Sequence, residues 1–303
     1  MASKNIKINL AKSCGFCFGV NRAITIAESL ADNKENVEML GDIVHNEEVV
    51  KKIRAKGIKK IKALSDGKGK TLLIRAHGID KNTLEEAVAS GYKVVDATCQ
   101  MVKEIHNIVR KMEEKNFTII VIGDKLHDEV KGIIGQLEKK AFVIDKPNSI
   151  PIQTMKKIKK AAVVVQSTQD IENVKKIISI LKENIKEIKF FNTICKPTRT
   201  KQNEIKKMPL ENDVILVIGS KTSANTKRLY QISKSLNKNS YWINSKADIH
   251  KIWFEKAETI GITSGASTPK ETTEGIISFL SQLLGPKDSK NNSSLNKSLK
   301  GNL

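Results

Sequence analysis

Short apolar runs, each closed by small residues and followed by a helical pattern, recur along this chain. The first is Ile6-Lys7-Ile8-Asn9-Leu10-Ala11. It leads through Ser13-Cys14-Gly15-Phe16-Cys17-Phe18-Gly19 into a helical pattern from Arg22 to Leu30. Further runs are Val37 to Leu40, Thr118 to Ile122 and Val214 to Ile218, each ended by a glycine. Others are Leu72 to Ile74, Val163 to Val165 and Ile260 to Ile262, each passing into small polar groups. Weaker strand candidates lie between, at Ile58–Leu64, Ala141–Asp145 and Ser240–Asn244. Helical patterns follow at Lys81–Ala89, Ile171–Leu181 and Glu271–Leu284. Strands alternating with helices predict an α/β class with mostly parallel strands.

The cysteines set a register on this pattern. Cys99 ends the run Tyr92 to Thr98 and precedes a helical pattern from Val102 to Glu114; Cys195 ends Ile188 to Ile194 and precedes Thr200 to Lys207. Gly41 lies 24 residues after Cys17, Gly123 lies 24 after Cys99, and Gly219 lies 24 after Cys195. Four residues beyond each glycine stands a polar side chain: His45, His127 and Ser223. The expectation is an internal triplication. Its units run over 18–99, 100–195 and 196–285, the third completed by the N-terminal strand within 1–17. Packed about a pseudo-threefold axis with strand ends inward, the units bring three cysteines together. His45, His77, His127, Ser167, Thr168, Ser223 and Ser267 converge there too.

Composition narrows the chemistry. The chain has 303 residues and a formal charge of +20, enough length for several small units. The lysines are scattered and few aromatics interleave with them, which points to solvated helix faces and away from nucleic acid. Four cysteines in a chain this long do not make a disulfide framework. No apolar run is long enough for a membrane span, and the N-terminus lacks the marks of a signal peptide. A cytoplasmic protein with no membrane insertion is expected, with a disordered tail over 286–303.

Three thiols from distant positions suit a thiolate-held metal, either zinc or an iron–sulfur cluster. With only three such ligands, a 4Fe–4S cluster keeps one iron without a protein ligand. Cys14 forms a C-x-x-C pair with Cys17 but stands outside the 24-residue register and is treated as accessory. Three histidines at equivalent strand-to-helix turns suit an anion. Ser223, Asn225 and Ser267 stand at helix starts, where N-capping and phosphate binding are compatible. Glu129, in the turn after His127, is a proton donor if burial raises its pKa.

The motifs Gly15-Phe16-Cys17-Phe18-Gly19-Val20, His45-Asn46, Ala76-His77-Gly78, Asp96-Ala97-Thr98-Cys99, His127-Asp128-Glu129-Val130, Thr193-Ile194-Cys195, Gly219-Ser220-Lys221 with Ser223 and Asn225, and Gly265-Ala266-Ser267 occur in this order. From about Ile6 to about Leu284 the chain resembles the 4-hydroxy-3-methylbut-2-enyl diphosphate reductase (IspH/LytB) family. The resemblance implies three similar α/β units with pseudo-threefold symmetry around a central iron–sulfur site. It implies one 4Fe–4S cluster on Cys17, Cys99 and Cys195, with one iron lacking a protein ligand. His45, His77, Ser223, Asn225 and Ser267 would hold the substrate's diphosphate. His127 and Ser167 would contribute to the pocket, and Glu129, with His127, would serve catalysis and proton supply. The implied partners are the allylic diphosphate substrate and an electron donor such as ferredoxin or flavodoxin. Three departures stand out: Ala224 where a second serine is common, Asp128 in place of a proline, which should loosen that turn, and Cys14. Two competing readings are an enzyme resembling quinolinate synthase and a zinc-stabilised basic RNA-binding module. Turnover separates the first; iron with acid-labile sulfide against zinc separates the second.

Overall fold

The structure is a computed structural model that describes residues 6–33 and 35–284. The expected tail at 286–303 lies outside the described residues. In chain order the elements begin with β1 (Lys7–Leu10), α1 (Phe18–Asp32), β2 (Val37–Leu40), α2 (Glu47–Ala55), β3 (Lys59–Ile61), β4 (Thr71–Ile74), α3 (Lys81–Ala89) and β5 (Lys93–Asp96). There follow α4 (Gln100–Glu114), β6 (Thr118–Ile122), α5 (Asp128–Ile134), β7 (Phe142–Ile144), α6 (Ile152–Met155), β8 (Lys160–Val165), α7 (Ile171–Asn184) and β9 (Glu187–Phe190). The last are α8 (Lys196–Ile205), α9 (Met208–Glu211), β10 (Val214–Ile218), α10 (Ala224–Leu236), β11 (Ser240–Ile243), β12 (Thr259–Ser264) and α11 (Lys270–Leu284).

Three four-stranded sheets form, in the orders β3-β2-β4-β5, β7-β6-β8-β9 and β11-β10-β12-β1. Every pairing is parallel. The three orders are one order repeated. In the third sheet the outer place beside β12 is taken by β1 from the chain's start, with Ile8 opposite Ile260.

Sheet position explains the strength of each apolar run. The interior strands β4, β8, β10 and β12 are buried almost throughout. Parallel strands covered on both faces read as continuous apolar runs. On β6, Ile120 and Ile122 pack into one core while Ile119 and Val121 pack into another on the opposite face. Edge strands such as β3 and β9 are largely exposed, so their pattern is weak.

Several helices are capped by side chains at their N-termini. Asn46, Asp80, Asp170 and Ser223 each accept a hydrogen bond from a first-turn backbone N–H. The helices α1, α4 and α8 differ. Their N-cap residues are Cys17, Cys99 and Cys195, and none of these makes a capping bond. The helices also start earlier than the apolar pattern indicates, directly after each cysteine. The reason is that their first turns line the central cavity and not a helix-packing core, so the core-facing period does not reach them; Pro197 in the first turn of α8 is compatible with helix there.

The units are tied to one another near their common centre. Ser220 Oγ donates to Glu47 at 2.8 Å, Arg75 to Asp128 at 2.7 Å, and Arg228 to Asp124 at 2.7 Å. These bonds link the third unit to the first, the first to the second and the second to the third.

Candidate active site

The strand ends of all three units open on one central cavity. Its walls hold Cys17, His45, His77, Cys99, His127, Glu129, Ser167, Cys195, Ser223, Asn225 and Ser267. All eleven site residues expected from the sequence therefore meet in one place. Val20, Val44, Met101, Val102 and Ala266 add apolar wall. Cys14 does not line this cavity; it packs among Ala11, Ile205 and Ile215.

The three thiols share one end. All four cysteines of the chain are free thiols. A Cβ added at Gly19 would stand 2.4 Å from the Cys99 sulfur, so α1 can approach Cys99 only with glycine there. The Cys17 thiol acts electrostatically on both Cys99 and Cys195. Burial pushes the Cys99 thiol up, and the Cys195 thiol to about 11. Without a metal these groups are protonated, and metal binding must release their protons. Thr198 Oγ1, one turn into α8, lies 3.1 Å from the Cys195 sulfur.

The histidines form a second cluster. The His45 and His77 ring centres are 4.2 Å apart, those of His45 and His127 4.9 Å, and those of His77 and His127 5.6 Å. Burial depresses the pKa of all three, that of His127 to about 4. His127 caps α5: its Nδ1 accepts from the Glu129 N–H at 3.1 Å, so the neutral ring keeps its proton on Nε2. His45 Nε2, His77 Nδ1 and both side-chain polar atoms of Asn225 are buried without a hydrogen-bond partner in the protein. Buried polar atoms are rarely left so, and the three residues that carry these line one cavity. Ser267 Oγ donates to the His45 carbonyl at 3.0 Å, and Ser223 caps α10.

Glu129 is 2 % exposed. Its Oε1 accepts from the Ser167 N–H at 2.6 Å and its Oε2 from the Ser167 hydroxyl at 2.8 Å. Burial raises its pKa against the lowering effect of both bonds. Asp128, expected to loosen this turn, is instead held by Arg75, and its Oδ2 lies 4.0 Å from His45 Nε2. Sequence reasoning missed Arg75 and Thr198. Spacing could have found Thr198, one helical turn past Cys195; no local signal marks Arg75.

Residues 8–281 match the family described as LytB protein. The chain belongs to that family. A LytB relative named 4-hydroxy-3-methylbut-2-enyl diphosphate reductase, from Campylobacter fetus subsp. fetus, is 39% identical over 280 residues, covering 92% of this chain and 98% of its own. A solved (E)-4-hydroxy-3-methyl-but-2-enyl diphosphate reductase, described as the terminal enzyme of the non-mevalonate pathway, is 36% identical with a TM-score of 0.67. It covers 91% of this chain and 99% of its own. The Plasmodium falciparum reductase is 28% identical with a TM-score of 0.83, over 97% of this chain and 96% of its own. Among the described residues no helix is long and apolar enough to cross a membrane.

Proposed function

We propose that this LytB protein reduces 4-hydroxy-3-methylbut-2-enyl diphosphate to isopentenyl and dimethylallyl diphosphate, taking up two electrons and two protons and releasing water. The observation that carries this is the pairing, in one cavity, of three free thiols with four unpartnered polar atoms on His45, His77 and Asn225. The thiols are soft donors left free at three helix starts, and the His45, His77 and Asn225 nitrogens can donate to an anion. We divide the chain into units at 18–99, 100–195 and 196–285, with 1–17 joined to the third.

The donor set fits an iron–sulfur cluster. Cys17, Cys99 and Cys195 would hold a 4Fe–4S cluster, and the positive ends of α1, α4 and α8 favour their thiolates. Its chemistry, when bound, is one-electron transfer and Lewis acidity at an iron without a protein ligand. The chain's own groups bind, orient and protonate. His45, His77, Ser223, Asn225 and Ser267 bind the diphosphate. Ala224 supplies no hydroxyl, so one donor fewer serves it.

Glu129 and Ser167 handle the proton. A backbone N–H can only donate, so Glu129 Oε1 must accept from Ser167 N. When Glu129 is protonated its acidic proton must therefore sit on Oε2, and the Ser167 hydroxyl, which donates to that oxygen of the carboxylate at 2.8 Å, turns to accept. That hydroxyl accepts it and donates its own proton onward, so the pair can pass a proton to the leaving hydroxyl. His127 fixes the turn through its Nδ1 and offers its Nε2–H to the substrate. Apolar walls at Val44, Met101 and Val102 keep competing water out. The proposal extends to a cytoplasmic setting and a carrier protein, such as a ferredoxin or flavodoxin, as electron donor.

The test is anaerobic purification, iron and sulfide analysis, and turnover of the allylic diphosphate with a chemical reductant. Zinc in place of iron and sulfide, or no product from iron-loaded protein, would refute it.

A further inference from the structure

Lys201 is 2 % exposed, and it is the only lysine or arginine among the described residues that is buried. It stands in α8, the helix that begins at Cys195. Its ammonium donates to the Ser13 carbonyl and, at 3.0 Å, to the Ser264 carbonyl. Those carbonyls belong to the two segments that present Cys17. Gly15 N donates to Ser264 Oγ at 2.9 Å, and Cys17 N donates to the Ala266 carbonyl at 3.0 Å. One ammonium thus pins the Cys17 loop and the end of β12 to the Cys195 helix. The nearby Glu204 carboxylate is engaged by the Ser13 N–H at 3.1 Å and by the Ser13 hydroxyl.

A buried ammonium bonded to neutral carbonyls, with only the Glu204 carboxylate nearby as countercharge, has its desolvation only partly offset. Burial pushes its pKa down, while Cys14, Cys17 and Glu204 oppose that shift. Cys17 becomes a full negative charge once its sulfur is a metal-bound thiolate. Only then is the ammonium's charge matched from the metal-site side.

We propose that Lys201 is a positioning residue of the metal centre: its ammonium clamps the Cys17 loop to the Cys195 helix and supplies fixed positive charge that makes the bound cluster easier to reduce. This rests on the cysteines holding a cluster. Charge and hydrogen bonding near the sulfurs set such potentials.

The experiment compares Lys201→Gln with Lys201→Arg. Gln keeps two N–H donors for the two carbonyls and removes the charge; Arg keeps the charge. Holoenzymes purified anaerobically are titrated for cluster reduction by electron paramagnetic resonance, and the metal-free chains are melted by circular dichroism. The Gln variant is expected to take up an electron only at a lower potential than wild type, the Arg variant at or near the wild-type potential. Both metal-free chains are expected to melt as wild type does. A metal-free Gln chain that folds yet takes up no cluster supports the proposal equally. A fully loaded Gln variant with the wild-type potential overturns it, as does an Arg variant shifted as far as Gln. A metal-free Gln chain that no longer folds also overturns it, since the lysine would then serve the fold alone. Wild-type protein without iron and sulfide would instead sink the cysteine assignment.

Discussion

Replacing Glu129 by Gln separates acidity from shape at the centre of the site. In the wild type, Oε1 accepts from Ser167 N at 2.6 Å and Oε2 pairs with Ser167 Oγ at 2.8 Å. In the variant the amide oxygen takes the backbone bond. The amide NH2 then faces the serine hydroxyl, which turns to accept. Both contacts survive, and only the transferable proton is lost. General acid catalysis is worth roughly 10²–10⁴-fold, so turnover should fall at least about 100-fold, or about 2.7 kcal/mol of barrier. The Michaelis constant should change little, because both Glu129 oxygens are bonded to Ser167 and none of the unpartnered polar atoms belongs to it.

Stability gives an independent check on the same side chain. Burial holds the Glu129 pKa above its ordinary value of 4.5. A carboxyl raised in the folded state loses stability as pH climbs above its unfolded pKa. Gln carries no such penalty, so the variant should melt no lower than wild type at pH 7. Steady-state turnover with a chemical reductant, iron content and a thermal melt complete the assay. Near-normal turnover with the cluster intact would remove Glu129 from proton supply and leave His127 or water to do it.

Two further predictions concern ligands. Cys17→Ser, Cys99→Ser and Cys195→Ser should each lower iron content and abolish turnover, while Cys14→Ser, which lies off the cavity, should spare both; the opposite order would overturn the ligand assignment. His45→Ala, His77→Ala and Asn225→Ala should each weaken binding of inorganic diphosphate by about 1.5–3 kcal/mol, the value of a hydrogen bond to a charged group. Unchanged affinity in all three, by calorimetry, would move the anion elsewhere.

Much of this was legible because the repeat is written in residue types that mark sheet position. Interior strands such as β6 and β10 are apolar on both faces, so they stand out as runs; β3 and β9, exposed at sheet edges, do not. The cysteine register located three helix starts, but the first turns of α1, α4 and α8 carried no apolar period because they face the site. The links between units stayed hidden. Arg75 meets Asp128 across a sequence separation of 53, and nothing local in either residue announces the other. Lys201 shows the limit most plainly. A lysine in a helical pattern reads as solvent-facing, and only the fold turns this one inward.

The proposed anion site has an unexpected charge balance. The chain carries +20 overall, yet among the described residues no lysine or arginine lines the central cavity. Its donors are imidazoles, hydroxyls and one amide. Desolvating fixed cations in an empty cavity would be costly, whereas neutral imidazoles cost less and can gain charge when an anion arrives. Burial keeps His127 at a pKa of about 4, and His45 and His77 below 6.5, in the free protein. A bound diphosphate favours the imidazolium and must raise these values. Binding therefore takes up protons, and affinity should strengthen as pH falls from about 8 toward about 6. Protonation of the phosphate itself near pH 6 acts the other way, so the sign discriminates. Calorimetry in two buffers of different ionisation enthalpy measures the uptake directly, and His77→Gln, which keeps a donor but cannot charge, should reduce it. Affinity that weakens over this range, or zero uptake in wild type, would show that the cluster stays neutral and that hydrogen bonds and helix starts alone hold the anion.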